Sequence, residues 1–463
     1  MNDGAYVVVN GECPTCALIR PLLSSLPATV LDEDDDDGLV ASFRLGVDTV
    51  PTVVRFSDGV EVDRMVGWSR DAWRSFFDMP DLGRELPDYR PGCGSRAVEP
   101  AVADQLAVRF GASTLRSRRV DVAALEDEAE AMFDRGWTDG LPVVAPTEGR
   151  VLRMLAGTTR AADEVVAVVP PDLVECTVEK VAVNAVLAGC KPEYLPVVLA
   201  AVEAACTSEF NAHGLLATTY FAGPMVIVNG PVATRIGMNS GVNCLGQGNR
   251  ANATIGRALQ LVIRNVGGGR PGEVDRATLG QPGKYTFCFA EDEAGSPWEP
   301  LAAERGVAVG SGASGASAVT LFAADGVRGV VDQLSREPES LARSLALGLR
   351  AVAHPKLVVA FDAVLIVSPE HARVFRDAGW SKAMLRSRLL ELLTFDGAEL
   401  VQGAGGIAEG VPQAFGGASL PKFRDDGLLI VHAGGGAGMF SAVVGGWVNG
   451  EAGSMPVTRA VGT

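Results

Sequence analysis

A short apolar run, Tyr6-Val7-Val8-Val9-Asn10, leads into Cys13-Pro14-Thr15-Cys16, and Ala17-Leu18-Ile19-Arg20-Pro21-Leu22-Leu23 follows with a helical pattern. Strand, Cys-x-x-Cys, helix constrains this chain more than any other stretch, because it sets two thiols at the start of a helix. Free backbone N–H groups and the positive dipole end at that position favour a thiolate at Cys13. Half of a zinc site is the competing reading. Zinc wants four ligands, and the chain offers no second Cys-x-x-Cys and no His pair at metal spacing. A scaffold that keeps the motif without redox chemistry is the other alternative.

The surrounding pattern extends to about residue 80. Ala28-Thr29-Val30-Leu31 reads as a second strand, the acidic run Asp32 to Asp37 as a solvated loop, and Gly38 to Leu45 as a short helix. Val50-Pro51-Thr52-Val53-Val54-Arg55-Phe56 reads as a third strand. Asp58-Gly59 is a hairpin signal, Val60 to Val66 alternates as a fourth strand, and Ser69 can cap a closing helix, Arg70 to Phe77. This order, with Cys-x-x-Cys after the first strand and Val-Pro-Thr at the third, resembles the thioredoxin and glutaredoxin families over roughly 80 residues. The resemblance implies a cis-proline at Pro51 packed beside Cys13. It also implies that Cys13 attacks a disulfide and that Cys16 resolves the mixed disulfide.

A chain of 463 residues has room for about two to four domains. A formal net charge of −16 argues against nucleic-acid partners, which want basic patches, and against anionic membrane surfaces. No basic-then-apolar leader and no 18-residue apolar run is visible, so the expectation is a soluble cytoplasmic protein. The eight cysteines are scattered apart from Cys13 and Cys16, which favours reduced thiols over a disulfide framework.

Residues 81–136 read as a linker, rich in turn formers from Glu85 to Arg96 and ending in an acidic helix, Val120 to Phe133, capped near Asp121. Cys93 lies between glycines, in a setting read as flexible and exposed. Arg90 and Arg96 nearby would lower its pKa; an incidental linker cysteine is the alternative.

Residues 137–463 read as a large α/β domain with mostly parallel sheets, divisible into lobes at 137–300 and 301–463. Asp172 to Cys190 reads as one helix, on which Cys176, Lys180 and Asn184 recur every fourth residue and share a face. A lysine on an apolar helix is costly if buried alone, so this stripe belongs either to a structural network or to a site. His213 precedes the buried strand Pro224 to Val228, and a glycine- and asparagine-rich loop, Gly237 to Asn249, contains Asn243 and leads into a helix. Arg250, Arg257 and Arg264, spaced by seven, either recognise a carboxylate or phosphate below that loop or pair with nearby acids. Gly283 to Glu291 reads as a strand with Lys284, Thr286 and Cys288 on one face. Ser311 to Ala318 reads as small and flexible. Leu428 to Met439 reads as strand, glycine loop and helix, able to cradle an anion but lacking a dinucleotide fingerprint.

Four segments carry a second resemblance: Trp137 to Val144, Glu179 to Tyr194, Arg250 to Arg257 and Gly280 to Thr286. They look like the UGSC-type (seleno)protein family, strongly over 137–300 and more weakly to residue 463. That family is named for a selenocysteine-Gly-Ser-Cys motif. Cys93-Gly94-Ser95-Arg96 is the nearest match here, with cysteine at the selenocysteine position and arginine at the last. The family is distantly similar to selenoprotein B of glycine reductase, which implies reductive chemistry through a Cys or Sec nucleophile. Relatives tend to carry a Lys-His pair where this chain has Gly438-Met439-Phe440, so that pair has no counterpart.

The expectation that follows is an enzyme with a fused electron supply. Cys93 would attack a small anionic substrate held by Lys180, Asn184, His213, Asn243, Arg250, Arg257 and Lys284. Cys13 and Cys16, with Pro51 beside them, would return it to the reduced state. An external thiol or disulfide reductase and a homo-oligomer are the expected partners, with no cofactor and no metal. A sulfur carrier working through a Cys persulfide and a non-enzymatic redox sensor are the alternatives.

Overall fold

The computed structural model describes residues 2–110, 115–123, 126–307 and 315–462. The chain divides into two compact units, Met1–Thr114 with Glu148–Leu152, and Leu115–Thr147 with Arg153–Thr463.

The first unit begins β1 (Gly4–Val9), α1 (Pro14–Leu23), β2 (Ala28–Asp32), α2 (Asp36–Arg44), β3 (Thr49–Val50), β4 (Thr52–Ser57), β5 (Val60–Val66), β6 (Trp68–Ser69) and α3 (Arg70–Phe77). It continues with β7 (Tyr89–Arg90), β8 (Cys93–Gly94) and α4 (Pro100–Phe110). Four strands pair in the order β2-β1-β4-β5, with β1 and β2 parallel and the other pairs antiparallel. Asp58 and Gly59 both take positive φ (50° and 74°), the conformation a tight two-residue hairpin demands. The core gathers Val7, Val9, Ile19, Val53, Trp68, Trp73 and Phe76. The Trp68 and Trp73 rings lie 5.2 Å apart, and each indole N–H is satisfied by a carbonyl, of Pro87 (2.7 Å) and Gly67 (3.0 Å). Burying two such rings contributes about 2–3 kcal/mol each. The third strand of the sequence reading is broken: the Val50–Pro51 bond is cis, and β3 leaves the sheet to pair with β8 instead. The stretch read as the start of a linker thus belongs to the first unit through β7, β8 and α4.

The second unit comprises α5 (Glu128–Asp134), the end of α6 (Glu148–Leu155), β9 (Val165–Val169), β10 (Val174–Thr177), α7 (Val178–Ala188), α8 (Leu195–Ala205), α9 (Ala212–Ala217), β11 (Gly223–Asn229), α10 (Pro231–Arg235) and α11 (Arg250–Asn265). It goes on with β12 (Cys288–Ala290), α12 (Leu301–Glu304), β13 (Ala318–Val331), α13 (Pro338–Arg350), β14 (Phe361–Val367), α14 (Pro369–Asp377) and α15 (Lys382–Leu392). Then come β15 (Thr394–Asp396), α16 (Gly397–Leu400), β16 (Ser419–Pro421), β17 (Leu428–His432), β18 (Phe440–Val448) and β19 (Val457–Ala460).

Its main sheet runs β12-β11-β13-β18-β14-β17, with β19 also paired to β13. Only β11/β12 and β14/β17 are parallel; β11/β13, β13/β18, β13/β19 and β14/β18 are antiparallel. The expectation of mostly parallel sheets is therefore corrected. The 14-residue β13 accepts antiparallel partners along both edges, and a short glycine turn returns β17 into β18. Both parallel pairs are spanned by connections containing helices, as a parallel crossover requires. Strands from both sides of residue 300 share this one sheet. Alternation along them sends Met225, Ile227, Phe322, Val364 and Ile366 to one face. Leu365, Val367 and Val443 go to the other, against Leu341, Leu345, Phe375 and Leu389 of α13 to α15.

Other segments also differ from the sequence reading. Asp172 to Cys190 holds β10, the second strand of the β9–β10 hairpin, followed by α7, so Cys176 sits on a strand and does not share a helix face with Lys180 and Asn184. Lys284 lies on a 3-10 turn, Pro282–Lys284, and the strand is confined to Cys288–Ala290. The glycine loop after β17 enters a strand, not a helix. The acidic helix is only Glu128–Asp134, capped by Asp127, whose carboxylate accepts from Ala129 N–H (2.8 Å) and Glu130 N–H (3.2 Å). Residues 124–125 of that reading, and 311–314 of the segment read as flexible, lie outside the described residues.

Candidate functional site

Asn10 closes β1, and its carboxamide oxygen accepts the Cys13 N–H (2.9 Å), which fixes the turn into α1. Cys13 is the N-cap, with extended backbone (φ −80°, ψ 117°), and Pro14 fills the first helical position. The Cys13 sulfur stands where a capping Ser or Asp oxygen usually would, and accepts the Cys16 N–H at 3.3 Å. On its other side it lies 3.5 Å from the Val50 carbonyl, beside the cis Val50–Pro51 bond. Cys13 is 2 % exposed and Cys16 is fully buried.

A third thiol completes the site. β8 pairs antiparallel with β3, Cys93 opposite Val50 and Gly94 opposite Thr49, and this places the Cys93 thiol within hydrogen-bond reach of Cys13 Sγ. The segment bearing Cys93 is strapped over the motif. The Thr15 hydroxyl donates to the Pro91 carbonyl (2.7 Å), and Trp68 and Ser69 pair with Arg90 and Tyr89. Gly92 must be glycine: a Cβ there would fall 2.4 Å from Thr49 Cγ2 and 2.8 Å from the Val50 carbonyl oxygen. Beyond the strap, buried Glu33 accepts from Asn10 Nδ2 (3.2 Å), Ser42 Oγ (2.5 Å), Ser95 Oγ and Arg96 N–H (2.9 Å). That carboxylate links the turn before Cys13 to the residues after Cys93.

The three thiols divide into one acid-shifted group and two proton holders. Burial would raise Cys13, but hydrogen bonds from the Cys93 thiol, the Cys16 N–H and thiol and the Thr15 N–H outweigh it and hold Cys13 below its ordinary 9.0. Burial pushes Cys16 far upward, and a charged Cys13 adds to the effect. Cys93 is raised first by its hydrogen bond to Cys13 and then by burial. The expectation of a Cys93 acidified by Arg90 and Arg96 is corrected: Arg96 pairs with Asp34 (2.9 Å) and its N–H with Glu33. Cys93 is half-buried in a strand, not in an open loop.

Six of the seven residues expected to hold a small anion in the second unit make hydrogen bonds or ion pairs within it. Lys180 Nζ donates to the Glu175 carbonyl (2.6 Å). Buried Asn184 donates to the Lys180 carbonyl (2.9 Å) and accepts from Asn265 (2.9 Å). His213 is exposed on α9, and exposed Asn243 bonds to the Gln247 carbonyl of its own loop (2.7 Å). Arg250 donates to the Gly189 carbonyl (2.9 Å), Arg257 grips Asp139 with two bonds (2.8 and 2.7 Å), and Lys284 pairs with Asp275 (2.7 Å). The loops 237–249 and 434–438 do meet, with Gly434 N–H donating to the Ser240 carbonyl (2.8 Å). The first loop is also tied to α11, where Asn252 accepts from Asn239 N–H (3.0 Å) and donates to the Asn239 (2.8 Å) and Cys244 (3.1 Å) carbonyls.

Thr15, Asn10 and Glu33 escaped the sequence reading. Asn10, three residues before Cys13, carried a local signal, a short amide side chain at turn spacing. Thr15 and Glu33 act through partners 76 and 62 or 63 residues away, a separation that no local pattern reveals.

Among the described residues, no group of three His, Cys, Asp or Glu is arranged to hold a metal ion, and no helix is long and apolar enough to cross a membrane. No protein-family model matches the chain. A 60-residue segment is 38% identical to a thioredoxin of Chlamydia caviae, a match covering 12% of this chain and 59% of that protein. Likewise, 60 residues are 37% identical to a thioredoxin of Chlamydia muridarum, with the same coverage. The chain thus contains a thioredoxin-like region, and it spans 59% of the length of the curated thioredoxins it matches.

Proposed function

We propose that this protein is a thiol–disulfide oxidoreductase in which Cys13 is the nucleophile and Cys16 the resolving thiol. The observation that carries this reading is the setting of Cys13: a sulfur capping α1, accepting from Cys16 N–H and from the Cys93 thiol, and held below its ordinary pKa. Nucleophilic sulfur is thiolate. Cys16, buried and protonated, is kept from reacting until Cys13 has formed a mixed disulfide.

In the fuller form of the proposal, Cys93 is the thiol that meets a small anionic substrate, and reductive cleavage at a heteroatom leaves it oxidised. Cys13 and Cys16 then return it to the thiol. The resemblance of residues 137–300 to the UGSC-type family supports a second, substrate-handling part fed by this redox unit. Joining the two in one chain raises the effective concentration of electron donor to about millimolar.

Replacing Cys13 with Ser tests the core of the reading. The variant should lose dithiol-driven turnover of a small disulfide by about a hundredfold or more, since a serine hydroxyl stays protonated at neutral pH. Wild-type turnover rates in the Cys13→Ser protein would overturn it.

A further inference from the structure

Cys13, at 2 % exposure, is nearly closed to solvent, and Cys16 is closed completely, yet Cys93 retains an exposed fraction. Beside Cys13 lies the chain's own Pro91–Gly94 segment, whose Cys93 packs against the same core. It runs antiparallel to β3, with Cys93 opposite Val50, and is fastened by Thr15 to the Pro91 carbonyl. Ser95 N–H continues the ladder to the Asp48 carbonyl (3.0 Å). An extended segment hydrogen-bonded along a short strand, with a thiol beside the attacking sulfur, is how a disulfide-bearing peptide would dock by strand addition. Here that edge is already taken.

We propose that the Pro91–Gly94 strap is a built-in target: Cys93 is held on the Val50 edge as the disulfide partner of Cys13, so that electrons leave the pair through Cys93 while folded protein disulfides are kept off the same edge. The inference rests on the oxidoreductase reading above and adds the route and the class of oxidant, a small disulfide able to reach the exposed fraction of Cys93. Cys93 attacks one sulfur of that disulfide as its proton passes along the hydrogen bond to Cys13; the first small thiolate leaves and takes up that proton, which restores the Cys13 thiolate. Cys13 then attacks Cys93 Sγ and expels the second small thiolate, giving a Cys13–Cys93 disulfide. Cys16 attacks Cys13 Sγ, the Cys13–Cys93 bond breaks, and the proton of Cys16 goes to Cys93. In sum one small disulfide is reduced to two thiols, and Cys13 and Cys16 are oxidised to a disulfide.

The test uses the full chain with Cys16→Ser and one equivalent of dithiobis-nitrobenzoate as the probe. The expected result is release of two coloured thiolates per chain and a Cys13–Cys93 disulfide in the peptide map, at a rate independent of protein concentration once the probe adduct has formed. A stable probe adduct on Cys13 with Cys93 still free overturns the inference. The wild-type chain, run alongside, separates the two levels. If no Cys13–Cys16 disulfide forms there, the oxidoreductase reading itself fails. If it forms but the variant yields no Cys13–Cys93 bond, only the built-in target fails. Insulin disulfides as a second substrate test the exclusion. Thr15→Val, which releases Pro91, should reduce insulin about tenfold faster than the wild type, because access limits exchange. An unchanged or slower rate overturns the exclusion.

Discussion

At the scale of single residues, the site turns on which sulfur holds the negative charge. Four donors converge on Cys13, and two of them, the Cys93 and Cys16 thiols, are themselves titratable. Cys93→Ala removes the first of these while leaving the helix start intact. The midpoint of iodoacetamide alkylation at Cys13 should then move up toward 9.0, with a several-fold slower reaction at pH 7. A midpoint unchanged by the substitution would show that α1 alone sets the acidity. Glu33 acts at a distance from the sulfurs. Its carboxylate is 1 % exposed and accepts from Asn10, Ser42, Ser95 and Arg96, so Glu33→Ala would leave several buried donors unpaired. Urea unfolding of the first unit should show a loss of about 3 kcal/mol.

At the scale of elements, the four-stranded sheet, α1, α2 and α3 were readable because each carries its own pattern: buried runs in β1 and β4, Asp58-Gly59 between strands, Pro14 at a helix start. What pattern could not give was pairing between distant segments. Nothing near Cys93 announces that it lies opposite Val50, and nothing near Asp172 separates a hairpin plus α7 from one long helix, since both are apolar. The large sheet was misread for the same reason: buried strands look alike whichever direction their neighbours run. The arginine stripe on α11 shows the limit most clearly. Spacing put Arg257 on a face with Arg250, but the structure commits it to Asp139, with side chains 14 % and 12 % exposed. Asp139→Ala should therefore cost about 2 kcal/mol at neutral pH, part of the price of stranding a buried guanidinium. Burial would raise the Asp139 carboxyl, but the two bonds from Arg257 prevail and hold it below 3.8. A depressed carboxylate stabilises the fold above its unfolded pKa and stops doing so as pH falls through the lowered value. The gap in urea midpoint between wild type and variant should accordingly be constant above about pH 5 and narrow below pH 4. A gap that widens on acidification would refute the pairing.

At the scale of the whole molecule, the one cysteine held below its ordinary pKa lies in the first unit. Burial leads the upward shift of every cysteine in the second: Cys176, Cys190 and Cys206 reach about 12, Cys244 about 11, and Cys288 is driven up as well. Brief treatment of the native chain with a small disulfide at pH 8, followed by peptide mapping, should modify Cys13, Cys16 and Cys93 alone, whereas all eight cysteines react in urea. Early labelling of Cys206, which is partly exposed, would break the pattern. The two-residue pairings that hold the strap, Trp68 with Arg90 and Val50 with Cys93, carry one last implication. Side chains along an extended segment alternate, so adding or deleting a single residue between Arg90 and Cys93 would turn the third sulfur away from the first. The length of this stretch should be fixed, and Gly92 with it, while Pro91, held through its backbone carbonyl, should bear substitution.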